Sequence, residues 1–191
     1  MKKSLKRTVA LGTPVAGLIL LIVAVMLSTI TAYVAINIVN SRVQGREQLF
    51  LTKCNLWYKN SSFSIGGLVV VNIGATDIVL NKITVHGEEC FWNGTSTYIL
   101  YNKTTGALSG ELPYVETFNR TGTTTISIGE GNYTFQGAGD DFILPSGWTM
   151  AFYVVNPGKL QIYNVGREVE VVVSTSQAVW CTESNVKAAP S

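Results

Sequence analysis

Few side chains in this chain are of a type and spacing that could do chemistry. The single histidine, His86, precedes Glu88 and Glu89, a set that could be drawn as metal ligands. One imidazole beside two acids in a glycine-containing turn is far more often a solvated loop, and no Cys-x-x-Cys pair joins it. Gly129-Glu130-Gly131 and Gly137-Ala138-Gly139-Asp140-Asp141 form a glycine-rich acidic stretch. It has neither the ligand spacing of an EF-hand nor a phosphate-loop pattern, so a flexible surface loop is expected there. With one His, no Gly-x-Ser-x-Gly and no Cys beside the His, a nucleophilic triad has no members. The sequence therefore predicts no catalytic residue, no metal and no cofactor.

Two other residue classes carry more. Asn60-Ser61-Ser62, Asn93-Gly94-Thr95, Asn102-Lys103-Thr104, Asn119-Arg120-Thr121 and Asn132-Tyr133-Thr134 are five N-glycosylation acceptor sequons, all in the C-terminal three quarters of the chain. Sugars there would coat an exposed surface and keep strands from pairing edge to edge. The three cysteines, Cys54, Cys90 and Cys181, allow three single disulfides with one thiol left over, and spacing does not choose among them.

What must position all of this is a chain in two unlike parts. From Thr8 to Ser41, 34 consecutive residues contain no Lys, Arg, Asp, Glu or His. As a helix at about 1.5 Å per residue this is roughly 50 Å long, whereas about 20 apolar residues cross a bilayer. Thr13-Pro14 reads as an N-cap followed by proline at the first helical position, which predicts a helix starting at Pro14. The residues beyond are apolar on every side until Asn37 and Asn40, so no face is meant for water. Lys2, Lys3, Lys6 and Arg7 would remain cytoplasmic, which places the rest of the chain outside.

Within the helix Gly17, Ala24, Ser28, Ala32 and Ala35 fall within about 80° of one another at 100° per residue, a small-residue stripe of the kind that lets membrane helices approach closely. Small residues are also simply common in membrane spans. A cleaved secretory signal would have an apolar region of about 7–15 residues and an Ala-x-Ala-like site, and this run is far longer. An uncleaved signal anchor is the stronger rival.

The order of basic leader, Gly12-Thr13-Pro14-Val15-Ala16-Gly17-Leu18-Ile19-Leu20-Leu21, long apolar helix and β domain resembles archaeal type IV pilins and the related archaellins. The likeness covers the whole chain in layout and about ten residues in motif. It implies a leader removed by a prepilin peptidase, with Gly12 and Thr13 flanking the cut, although Leu11-Gly12 lacks the charged residue usual beside such a site. It further implies extraction from the membrane by pilus assembly machinery, and a homopolymer whose helices pack in the filament core. A pilin with an adhesive role, rather than an archaellin of a motility filament, is the expectation, on Thr13-Pro14-Val15-Ala16-Gly17. The alternative of another class is a membrane-anchored monomeric adhesin or binding domain.

The expected organisation is 1–12 leader, 13–45 hydrophobic helix and junction, breaking near Gly45, and 46–191 an extracellular domain. Its fold class is α+β, a long N-terminal hydrophobic α-helix followed by an all-β, Ig-like sandwich. Setting aside the four leader cations, the 14 Lys and Arg fall to ten against 12 Asp and Glu, and no basic patch suggests nucleic acid. Candidate strands are 49–58, 63–73, 77–85, 98–102, 114–118, 123–128, 133–136, 148–155, 159–163 and 168–175, each bounded by Gly, Asn, Pro or Asp. Such spacing without helical patterns argues a sandwich. Asn72-Ile73-Gly74-Ala75-Thr76-Asp77 joins two of these strands through a glycine able to take positive φ, and Trp57, Tyr58, Phe91, Trp92, Trp148 and Trp180 are expected to fill the core or cap its ends.

Overall fold

A computed structural model describes residues 6–44, 47–139, 142–158 and 160–190. The chain divides into two compact units, Met1–Gly45 and Arg46–Ser191. The first contains one helix, α1 (Lys6–Gln44). It begins two turns before the expected start, and Pro14 lies inside it. Proline removes a backbone donor and crowds the carbonyl four residues back. Only eight residues precede Pro14 in the helix, so the local defect sits close to its first turns. The candidate leader residues Lys2 and Lys3 and the junction residue Gly45 lie outside the described residues.

The second unit is the β-rich domain. Its strands are β1 (Leu49–Asn60), β2 (Phe63–Asn72), β3 (Ile78–Val85), β4 (Glu88–Cys90), β5 (Tyr98–Thr104), β6 (Thr123–Ile128), β7 (Gly131–Gly137), β8 (Phe142–Leu144), β9 (Thr149–Val155), β10 (Glu168–Thr175) and β11 (Val179–Ala188). Their order is β4-β3-β10-β11-β1-β2-β9-β5-β7-β6, with β8 added to β3. β11 pairs antiparallel with β10 and parallel with β1, so it joins the two halves. The main core lies between the halves, with Leu68, Val70, Phe152 and Val154 from one and Leu80, Ile83, Val171 and Val173 from the other.

A second core covers the opposite face of β2 and β9. Every residue of β9 is buried, because Met150, Phe152 and Val154 enter the main core while Ala151, Tyr153 and Val155 enter the second. The cover includes the segment 105–122, the strap, which contributes Leu108, Leu112, Tyr114, Val115 and Phe118. Residues 114–118 are therefore not a strand. Their apolar side chains pack on a sheet face, and Pro113 O accepts a 2.9 Å hydrogen bond from the Tyr153 hydroxyl. Alternate residues of β1 hold the strap. Lys53 donates to Leu108 O and, at 2.9 Å, to Gly110 O; Asn55 Nδ2 donates to Glu111 Oε2 at 3.1 Å; Lys59 pairs with Glu116.

Other local expectations change too. Residues 162–164 form a short 3₁₀ turn instead of a strand, and Lys159 lies outside the described residues. At the β2–β3 connection Gly74 is not among the positive-φ glycines. The loop is organised by the fully buried Asn72, whose Nδ2 donates to Thr76 O and Leu144 O and whose Oδ1 accepts from Gly74 N–H. Strands β4, β8 and β11 were not expected. The first two have three residues each, and β11 buries only Ser184 and Val186 fully.

Leu112 makes the strap testable, since its Cγ-terminal methyl Cδ1 would stand 3.0 Å from a Cβ placed on Gly67. Leu112→Ala in fragment 46–191 should cost about 2–5 kcal/mol of unfolding free energy in urea. A loss below about 0.5 kcal/mol would mean that the strap does not close the second core.

Candidate functional site

The feature most out of balance with water is α1. Its segment Pro14–Ile38, 25 residues, is long and apolar enough to cross a membrane, and none of it is buried. Fifteen large apolar side chains stand open there, from Val15 to Ile38, with Leu20 70% exposed. Hydrophobic burial of such a side chain is worth roughly 1.5–3 kcal/mol, so an all-round apolar helix of this length requires a non-aqueous surrounding.

Two threonines within the span are prepared for such a medium. Thr29 Oγ1 donates to Val25 O and Met26 O at 3.0 and 2.9 Å, and Thr31 Oγ1 donates to Leu27 O. Hydroxyls that bond back to their own helix leave no unpaired donor facing lipid or a neighbouring helix. Gly17, Ala24, Ser28, Ala32 and Ala35 are all exposed on α1, and a Cβ added at Gly17 would meet nothing within 4 Å. Glycine is thus not required at position 17 by the chain's own packing. Gly12 and Thr13 are helical residues of α1.

The domain presents little that resembles an active site. His86 and Gly87, at φ 53° and 76°, are the two corner residues between the paired Val85 and Glu88. Two consecutive positive φ values make a type I′ hairpin, so His86 serves a tight turn and Glu88 and Glu89 lie on its return strand. Among the described residues no group of three or more His, Cys, Asp and Glu is placed to hold a metal. Gly129, at φ 60°, and Glu130 form another two-residue corner, between the paired Ile128 and Gly131; Asp140 and Asp141 lie outside the described residues. A concavity of about 300 Å³ is lined by uncharged Ser62, Phe63, Ser96, Thr97, Asn156 and Gln161, among others.

The three cysteines are all free thiols. They occupy unlike surroundings. Cys90 is buried in the main core, Cys54 is half-buried on β1, and Cys181 is exposed on β11. Burial pushes the Cys54 thiol from 9.0 up to about 11 and that of Cys90 up to about 12. Raised values leave the thiolate scarcer, by about a hundredfold and a thousandfold, than at an ordinary thiol.

Four of the five acceptor asparagines, Asn60, Asn93, Asn119 and Asn132, are exposed, and Asn102 is half-buried. The exposed four use Oδ1 as a hydrogen-bond acceptor, from Ser62 N–H, Arg120, Gly122 N–H and Ser127 Oγ respectively. Asn102 differs, since its Nδ2 donates to Thr134 O at 2.8 Å. The expected aromatic core is present in part: Trp57 is buried and Trp92 packs on Phe142 at 4.6 Å, while Phe91 is exposed.

No family model matches the chain, and no curated protein does. Among solved structures the chain is similar to a GH20 exo-β-N-acetylglucosaminidase from Vibrio harveyi in complex with N-acetylglucosamine, at 11% identity, and to its D437A inactive mutant, at 12%. Each match covers 75% of this chain and 18% of the enzyme, with a TM-score of 0.20. The chain thus spans under a fifth of those enzymes, a similarity too slight to assign fold or chemistry.

Thiol accessibility provides a check on the domain. In the native protein at pH 7, iodoacetamide should modify Cys181 at least tenfold faster than Cys54 or Cys90, read by peptide mass spectrometry. Equal rates before and after unfolding in urea would contradict the buried placement of Cys90.

Proposed function

We propose that this chain is a structural subunit of an extracellular filament of the archaeal type IV pilus kind, with adhesion as its role. The observation that carries the reading is a 25-residue apolar span open on every side, followed by a domain with two apolar cores of its own. Such a helix is stable in a bilayer, and it is equally stable among copies of itself. Assembly exchanges the first surrounding for the second.

The mechanism is physical and not catalytic. Before assembly α1 spans the cytoplasmic membrane with the β domain outside. The assembly machinery then withdraws the helix, and the stripe Gly17, Ala24, Ser28, Ala32 and Ala35 lets neighbouring backbones come close. Fifteen large apolar side chains per subunit, at roughly 1.5–3 kcal/mol each on full burial, make release of a subunit into water prohibitive. Prepilin peptidase acts first, after Gly12.

Electron microscopy of purified surface material should reveal long fibres made of this chain, and N-terminal sequencing of them should begin near Thr13. A monomer that stays in the membrane would instead establish an anchored adhesin. Added bulk on the stripe, as Ser28→Leu or Ala32→Leu, should reduce fibre yield at least tenfold while the domain stays folded by circular dichroism. Normal yield from both variants would remove the stripe from the mechanism.

A further inference from the structure

Among the described residues the sheet ends on β6, which pairs with β7 alone. Its six residue pairs run without a register shift, and Thr123-Thr124-Thr125-Ile126-Ser127-Ile128 contains no charge and no proline. An edge strand in that state is a template for another chain, and proteins blunt such edges with charge, proline, a bulge or a cover. Two acceptor asparagines stand at its two ends. Asn119 lies four residues before the strand, and its backbone N–H donates to Thr124 Oγ1 at 3.0 Å. Asn132 is the direct cross-strand partner of Ser127, whose hydroxyl donates to Asn132 Oδ1 at 2.6 Å.

The same geometry separates usable acceptors from an unusable one. Asn119 and Asn132 are exposed, and among the described residues their side-chain hydrogen bonds are accepted by Oδ1. Asn102 has the reverse arrangement: Nδ2 is bonded to Thr134 O, and Oδ1 is buried with no partner. Modification there would put a sugar on a nitrogen already engaged by the neighbouring strand, beside a buried Oδ1.

We propose that Asn119 and Asn132 carry N-linked glycans that cover the β6 edge, and that Asn102 is left bare. The proposal rests on the extracellular placement given above. In the transfer, Nδ2 bonds to the anomeric carbon of an oligosaccharide activated as its lipid-linked phosphate or diphosphate. The carbon–oxygen bond to phosphate breaks, the lipid phosphate leaves with the electron pair, and the amide gives up one proton to solvent.

Glycopeptide mass spectrometry of the full chain from its native cells should place sugar on Asn119 and Asn132 and none on Asn102. The membrane-extracted double variant Asn119→Gln/Asn132→Gln, in mild detergent, should at least double the parent's mean mass by light scattering. Thr121→Ala/Thr134→Ala, which removes both sequons and keeps both asparagines, should do the same, and Thr125→Lys on the bare edge should restore the parent mass. Unmodified Asn119 and Asn132, a glycan on Asn102, or unchanged mass in both double variants would overturn the proposal. Fibres built from bare subunits would do so while leaving the filament reading in place.

Discussion

One constraint governs the molecule: a helix with no polar face cannot rest in water. Every other feature of α1 follows from it. The threonine hydroxyls turn back onto their own carbonyls, and charge is absent from Thr8 to Ser41. A soluble helix would be amphipathic, whereas this one is apolar on every side between Pro14 and Ile38. Such a surface calls for an apolar surrounding.

The domain solves the same problem internally. β2 and β9 are apolar on both faces, which one sandwich interface satisfies only on one side. The strap and the β6–β7 hairpin close the other side. The hairpin is laddered within itself and to β5, whereas the strap is held by apolar contact and by hydrogen bonds from β1 and β9 side chains. Its backbone is free to be irregular because Tyr153, Lys53 and Asn55 supply partners for strap carbonyls and a strap carboxylate.

What the sequence made legible tracks these two forms of burial. The α+β class and most long strands were readable because their Val, Ile and aromatic runs are bounded by turn residues. Residues 114–118 have the same composition yet use it for packing, so the pattern there misled. β11 was hidden for the opposite reason, as Cys181, Thr182, Glu183, Ser184 and Asn185 form a polar run that pairs with β10 through its backbone, and only Val186, Lys187 and Ala188 go on to pair with β1. The helix start was displaced because Thr13-Pro14 carries a start signal, while helix persists upstream to Lys6. Sequons were visible as motifs, but which amide nitrogen is free depends on cross-strand partners that no local pattern records.

The decisive question is what touches α1 in its final state. A photoreactive benzophenone side chain placed at Ala32, activated by light in native surface material, reads this directly. The account predicts a ladder of cross-linked multimers of this chain. Adducts to lipid alone, with the protein remaining monomeric, would contradict it.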